Sequence, residues 1–114
     1  MGKLTTHVLD TSHGKPAAGL RIDLFKGNDT VAFVSIKTNA DGRADRPLLE
    51  GDSLAAGTYR LEFRVGDYFH AIGCGDAGKF LDVVPIVFVV SDAAAHYHVP
   101  LLVSPWAYST YRGS

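Results

Sequence analysis

The sequence of 114 residues predicts an all-β fold, a sandwich or barrel of short strands. Segments rich in β-branched and aromatic residues are separated by turn-forming sequences at short, regular intervals. Residues 58–65 alternate strictly between polar and apolar side chains, which is the two-residue period of a strand with one solvent-exposed face. The turn signals are His13-Gly14-Lys15-Pro16, Gly27-Asn28-Asp29, Asn39-Ala40-Asp41-Gly42, Glu50-Gly51-Asp52 and Ser91-Asp92. A chain of this length suits one domain, which we expect to span residues 1–114.

These turn signals separate eight candidate strands. In chain order they are residues 4–10, 20–26, 31–38, a short piece at 43–45, 58–65, 83–90, 96–104 and 107–112. In the segment 58–65, the apolar set is predicted to point inward; it consists of Tyr59, Leu61, Phe63 and Val65. The segment 83–90 is apolar on both faces, which predicts a buried strand or a strand at an interface.

One segment interrupts the strands and predicts a short helix at about residues 67–73. Asp67 is a suitable N-cap residue, apolar side chains follow at helical spacing, and Gly73 is a suitable terminator. An irregular loop is the alternative for this segment.

Composition excludes several classes of function. Eleven basic and twelve acidic residues give a net charge of −1 without a basic cluster, so we expect no nucleic-acid partner. The longest strongly apolar run, residues 83–90, is too short to span a bilayer, so we expect no membrane association. A single cysteine excludes an internal disulfide, and the first residues do not resemble a signal peptide. A cytoplasmic location is therefore expected.

The five histidines are the first candidates for chemistry. His96 and His98 are two residues apart on a strand and must share a face, and His7 lies on the first strand. If these strands are neighbours, three imidazoles converge. Such a cluster is consistent with a zinc site, with metal-free acid–base chemistry, or with a structural role. His13, in a turn, and His70, on the predicted helix, are expected to be surface or structural residues.

Arg43 and the end of the chain are the second set of candidates. Arg43 follows the Asp41-Gly42 turn, where a guanidinium is either solvated or holds a carboxylate, an imide or an oxyanion. Residues 111–114 follow directly on an aromatic, strand-like run and bring together a phenol, a guanidinium and a hydroxyl. This polar cluster predicts that the terminal stretch contributes to a pocket.

Four motifs, in this order along the chain, resemble the transthyretin-related proteins, and more closely the 5-hydroxyisourate hydrolase branch of that family. They are His7-Val8-Leu9-Asp10, Asp41-Gly42-Arg43, the run from His96 to Pro105, and Tyr108-Ser109-Thr110-Tyr111-Arg112-Gly113-Ser114. The terminal Tyr-Arg-Gly-Ser is the specific motif, because hormone-carrying transthyretins lack it. The similarity extends from about Leu4 to Ser114, and Trp106 replaces the family's usual aromatic residue.

The resemblance implies a transthyretin-like, eight-stranded β-sandwich with one short helix, assembled as a homotetramer, a dimer of dimers. It also implies active sites in a channel at the dimer–dimer interface. The implied reaction belongs to urate degradation and uses no metal or cofactor. It hydrolyses a purine-derived small molecule, 5-hydroxyisourate, to 2-oxo-4-hydroxy-4-carboxy-5-ureidoimidazoline by opening the six-membered ring at an amide-type C–N bond.

The resemblance also implies roles for individual residues. His7 and His98 would activate water and transfer protons, in an order that the sequence leaves open. Arg43 would hold the carbonyl or anionic edge of the substrate and stabilise charge in the transition state. Tyr111 would position the ring by a hydrogen bond, and Ser114 would orient a histidine or the water.

Two points stay open in this interpretation. His96 lies on the same face as His98 and is included among the substrate-binding residues. The alternative function is a transthyretin-like carrier that binds an aromatic small molecule in the inter-subunit channel. Such a channel would be lined by aliphatic and small side chains, whereas this chain would place imidazoles, Arg43 and Tyr111 there.

Overall fold

The computed structural model describes residues 1–113, which form two β-sheets packed face to face. One sheet has the strand order β2-β1-β8-β9, with β5 also paired to β1, and the other has the order β4-β3-β6-β7. The elements are β1 (Lys3–Asp10), β2 (Lys15–Pro16), β3 (Arg21–Lys26), β4 (Val34–Lys37), β5 (Leu49–Glu50), a 3₁₀ turn (Gly51–Ser53), β6 (Gly57–Arg64), α1 (Val65–Ala71), β7 (Val83–Val90), β8 (His96–Val103) and β9 (Tyr108–Thr110).

The predicted β-sandwich with one short helix is confirmed, with differences in the number and extent of strands. Residues 1–113 form nine strands rather than eight, because β2 and β5 are two-residue pairings too short to leave a periodic pattern. The predicted piece at 43–45 is not a strand. Arg43 makes only an isolated bridge to His7, because its N–H donates to Asn39 Oδ1 and its carbonyl accepts from Asn39 N–H within the turn.

The helix α1 begins two residues earlier than the sequence predicts and ends at Ala71. Val65 is fully buried, and an inward-pointing residue fits the last position of a strand and the first turn of a helix equally well. Asp67 therefore lies in the first turn and is not the N-cap, which is Arg64. Gly73 follows the helix with a φ of 80°, the left-handed conformation typical of a residue just past a helix end.

Two long neighbouring strands, β1 and β8, pair in parallel from Lys3↔His96 to Asp10↔Val103. Along each strand alternate side chains enter the space between the sheets, where Leu4, Val8 and Leu101 are fully buried. The opposite sheet contributes the inward-facing Leu61 and Phe63 to the same core. The remaining face of the β1–β8 pair, which carries the histidines, therefore lies outside the core.

A buried carboxylate connects the helix to the first sheet. Asp10 is only 1% exposed and accepts hydrogen bonds from Ser12 Oγ (2.7 Å), Tyr68 Oη (2.8 Å) and His13 Nδ1 (2.8 Å). Burial alone would raise the pKa of Asp10, but these hydrogen bonds to its ionised form outweigh burial and lower the pKa overall. His13 thus has the structural role expected of a turn histidine.

The described part of the chain contains no helix long and apolar enough to cross a lipid bilayer.

Asp10→Ala is expected to lower the free energy of unfolding by about 1–3 kcal/mol, because the buried Tyr68 hydroxyl loses its acceptor. Urea unfolding at pH 7 and one protein concentration measures the difference. The contribution of Asp10 should be complete above its ordinary pKa of 3.8 and be lost as the pH falls through the lowered native pKa. Asp29→Ala, at an exposed position, is the control, and equal losses for both variants would contradict the assigned role of Asp10.

Candidate functional site

A polar groove of about 510 Å³ lies on the outer face of β1 and β8, beneath the segment that follows the 39–43 turn. Strand alternation turns Thr5 and His98 toward this face, since their neighbours Leu4 and Tyr97 enter the core. The residues lining the groove are Lys3, Thr5, Thr6, Arg43, Ala44, Asp45, Arg46, Pro47 and His98. Three cationic side chains therefore surround the groove against one carboxylate.

Both sides of the His98 imidazole are held by neighbouring segments. Thr5 is paired with His98 across the parallel ladder, and its Oγ1 lies 2.8 Å from His98 Nδ1. The terminal segment binds the backbone of the same residue, because Gly113 N–H donates to the His98 carbonyl at 2.8 Å. A Cβ at Gly113 would lie 2.5 Å from His98 Cδ2, so only glycine allows the terminal segment to pass this close to the ring.

The turn at residues 39–43 brings Arg43 beside His7. Asn39 Oδ1 accepts hydrogen bonds from the N–H groups of Asp41 (2.9 Å) and Arg43 (3.2 Å). Gly42 has a φ of 76°, a left-handed conformation that favours glycine, and its carbonyl accepts from Val8 N–H. This anchoring to β1 creates the bridge between Arg43 and His7.

The pKa values of both imidazoles lie below the ordinary value of 6.5. Burial is the main cause for each, and the positive charge of Arg43 lowers both pKa values further. His7 also lowers the pKa of His98, whereas the backbone and carboxylate of Asp41 act on His7 in the opposite direction. At neutral pH both rings are therefore neutral, the form in which an imidazole can accept a proton.

His96 lies too far along the sheet to converge with both His7 and His98. All three lie on the outer face of the β1–β8 pair, but His96 pairs with Lys3, four positions along the ladder from the His7 pair. Four positions correspond to roughly 13 Å along a strand. Among residues 1–113, no three His, Cys, Asp or Glu side chains are grouped so that they could hold a metal ion.

The residues of the terminal segment lie in two different parts of the surface: Tyr111 lines a second groove, and Gly113 contacts His98. Tyr111 is 60% exposed and lines a second, mostly apolar groove of about 280 Å³ between β7 and β8. Arg112 packs over the Tyr97 ring at 4.2 Å and donates from Nη2 to the His96 carbonyl at 3.0 Å. Only Gly113 reaches His98, and the predicted site residue Ser114 lies outside the described residues.

Sequence reasoning missed the contributions of Thr5, Lys3 and Arg46 to this site. Alternation places Thr5 on the same face as His7, but only the register of the parallel pairing brings it opposite His98. The charges of Lys3 and Arg46 give no sequence signal, because exposed cationic residues are common on any surface.

Comparison with known proteins finds relatives over the whole chain. A profile of the HIUase/transthyretin family matches residues 4–113. A 5-hydroxyisourate hydrolase from Ralstonia nicotianae is 58% identical over 117 residues, with 100% of both chains covered. The solved structure of Klebsiella pneumoniae 5-hydroxyisourate hydrolase has a TM-score of 0.84 at 34% identity, again with 100% of both chains covered. The crystal structure of (S)-allantoin synthase has a TM-score of 0.92 at 44% identity; it covers 99% of this chain, which spans 44% of that protein.

Arg43→Gln is expected to raise the pKa values of His7 and His98 toward 6.5, because a positive charge that opposes imidazole protonation is removed. NMR titration of the imidazole carbon-bound protons measures both values. Arg46→Gln removes the same charge from the same groove and is the matched control, since Arg46 is not a cause of either shift. Equal shifts in the two variants, or none with Arg43→Gln, would show that Arg43 is not coupled to the histidines.

Proposed function

The chain belongs to the HIUase/transthyretin family, and we propose that it hydrolyses 5-hydroxyisourate in urate degradation. The observation that carries this proposal is that His98 and Arg43 line one groove, while His7 is bridged to Arg43 and lies two positions further along the same outer face. The pKa values of both imidazoles are lowered. Support also comes from the Ralstonia nicotianae 5-hydroxyisourate hydrolase, to which the chain is 58% identical over its full length.

The reaction adds water across an amide-type C–N bond of the substrate's six-membered ring. The water oxygen bonds to the carbonyl carbon, the C–N bond breaks, and the leaving nitrogen gains a proton. Ring opening gives 2-oxo-4-hydroxy-4-carboxy-5-ureidoimidazoline, in which the attacked carbonyl has become a carboxylate. The site must therefore remove a proton from water, stabilise a tetrahedral oxyanion and return a proton to nitrogen.

His7, His98 and Arg43 supply these three needs. One neutral imidazole takes the proton from water as the oxygen attacks, and the imidazolium so formed returns that proton to the leaving nitrogen. The second neutral imidazole orients the substrate through its ring N–H. Arg43 lines the groove with His98 and is bridged to His7, and its guanidinium would stabilise the developing oxyanion.

The charge of the groove favours this chemistry over a carrier function. Lys3, Arg43 and Arg46 outnumber Asp45 around the groove, an environment that attracts a polar or anionic purine derivative and its carboxylate product. A carrier of an apolar aromatic ligand needs a mostly hydrophobic lining instead. The positive charge of Arg43 also opposes binding of a metal dication beside the imidazoles, and we propose that the reaction requires no metal or cofactor.

The remaining substrate contacts are proposals from the family resemblance. Tyr111, exposed at the end of the chain, would hydrogen-bond the substrate after its groove is covered by another subunit. Ser114 would orient a histidine or the attacking water, and His96 would contact the far edge of the substrate.

We propose that the protein is a homotetramer, a dimer of dimers. Val87 and Val89 are 65% and 61% exposed along β7, a sheet edge that is unpaired within residues 1–113. Phe80 and Trp106 stack on each other at 6.1 Å and are also exposed. Exposed valines along a free edge, together with this second exposed apolar pair, favour burial by another copy of the chain.

A cytoplasmic location is part of the same proposal. The chain contains one cysteine, Cys74, so its stability depends on no internal disulfide. Such a chain suits a reducing compartment.

Sedimentation equilibrium is expected to give a mass of roughly 49 kDa, four times the chain mass of 12.2 kDa. Val87→Lys should shift the protein toward smaller species, because a charge would enter the apolar edge contact. Val31→Lys, at another exposed valine away from the strand edges, is the control. A monomeric wild-type protein, or an unchanged mass for Val87→Lys, would contradict the proposed assembly.

Catalysis is tested by generating 5-hydroxyisourate with urate oxidase and following its ultraviolet decay with and without the protein. Wild-type protein should accelerate the decay over the spontaneous rate and should keep full activity after exhaustive chelation. His98→Ala should reduce kcat/KM by roughly 10²- to 10⁴-fold, the usual contribution of an acid–base group. His70→Ala, at an exposed helix position, is the control.

No acceleration by the wild-type protein would overturn the proposed activity. Activity that chelation removes and zinc restores would overturn the metal-free mechanism. A normal rate for His98→Ala would remove His98 from the mechanism while leaving the activity itself intact.

A further inference from the structure

The hydroxyl group of Thr5 is directed at the imidazole of His98. Thr5 Oγ1 lies 2.8 Å from His98 Nδ1, and within residues 1–113 this nitrogen is the only hydrogen-bond partner of the hydroxyl. The next residue along β1 behaves differently, because Thr6 Oγ1 donates to the Val99 carbonyl at 2.8 Å and is buried. Thr6 therefore bonds to the backbone, whereas Thr5 bonds to a functional side chain in the groove.

The terminal segment restricts the opposite side of the same ring. The Gly113 backbone lies against Cδ2 and Cγ of His98, as shown by the positions that a Cβ at residue 113 would contact. In an imidazole, Nδ1 and Cδ2 are the two atoms bonded to Cγ. With Thr5 at one and Gly113 at the other, the Nε2–Cε1 edge is the part of the ring left for a substrate.

We propose that Thr5 is a positioning residue: its hydroxyl donates to Nδ1 of His98 and fixes the ring as the Nε2–H tautomer. A neutral imidazole carries one N–H, so a hydrogen bond accepted at Nδ1 places the proton on Nε2. His98 then presents a donor to a carbonyl or leaving nitrogen of the substrate. This assignment rests on the proposed hydrolysis and specifies which imidazole donates to the substrate and which accepts the proton from water.

The groups that surround the two imidazoles also affect protonation of His7 and His98 differently. The backbone and carboxylate of Asp41 raise the pKa of His7, whereas burial, Arg43 and His7 all lower the pKa of His98. A neutral His98 ring whose Nδ1 accepts from Thr5 and whose Nε2 carries the proton has no nitrogen free to take a proton from water, so that role falls to His7. The structure in this way separates two histidines that look equivalent in the sequence.

The tautomer is measured directly by two-bond ¹H–¹⁵N NMR of the ¹⁵N-labelled wild-type protein, independently of turnover. We expect the pattern of an Nε2–H ring for His98, and a mixture of tautomers in Thr5→Val, which keeps the shape of threonine but lacks the hydroxyl. Thr5→Ser retains the hydroxyl and should keep the wild-type pattern. Thr58→Val, at an exposed strand position, is the control for a threonine-to-valine change.

Kinetics give the second readout. Thr5→Val should lower kcat by about 10- to 100-fold with little change in KM, because the ring is misoriented while the groove stays intact. Thr5→Ser should restore most of the rate. An Nδ1–H tautomer in wild-type His98, or a Thr5→Val variant with unchanged tautomer and kcat, would overturn the inference. If wild-type protein does not accelerate hydroxyisourate decay, the proposed function fails, and the NMR pattern still decides whether Thr5 fixes the tautomer.

Discussion

The parallel pairing of β1 and β8 is the constraint on which the site depends. Its register sets Thr5 opposite His98 and places His7 two positions further along the same outer face. A shift of one residue would exchange the inner and outer faces of a strand, so that the histidines would enter the core and Leu4 and Val8 would leave it. The buried apolar face therefore fixes the register, and the register fixes the spacing of the functional groups.

Two further segments complete the groove by packing onto this pair. The turn at residues 39–43 is anchored to Val8 through the Gly42 carbonyl and brings the Arg43 guanidinium close enough to oppose protonation of both imidazoles. The terminal segment makes an antiparallel bridge to β8 at Gly113 and packs on the His98 ring. The histidines are thus kept neutral by burial and by a neighbouring cation, the state that water activation requires. We propose that this electrostatic arrangement produces the hydrolytic activity.

Strand periodicity predicted most of the fold and only part of the site. Residues 83–90 form β7 as predicted, and the alternation from Tyr59 to Val65 correctly identified the inward face of β6. The same alternation continues into Val65, so it could not reveal that the chain turns into α1 there. Periodicity also placed His96 and His98 on one face, but the separation of His96 from His7 depends on which strands pair and in what register. The contact between Thr5 and His98 joins residues 93 positions apart, and local sequence patterns do not specify such contacts.

The central claim, that a neutral histidine in this groove accepts the proton from water, is tested most directly by the pH dependence of kcat/KM. Because the pKa values of His7 and His98 lie below 6.5, each ring is half protonated only at a pH below that value. We expect kcat/KM to decline as the pH falls, with a midpoint that lies below 6.5 and matches a histidine pKa titrated by NMR. A decline centred above 6.5, or no acid decline at all, would contradict it.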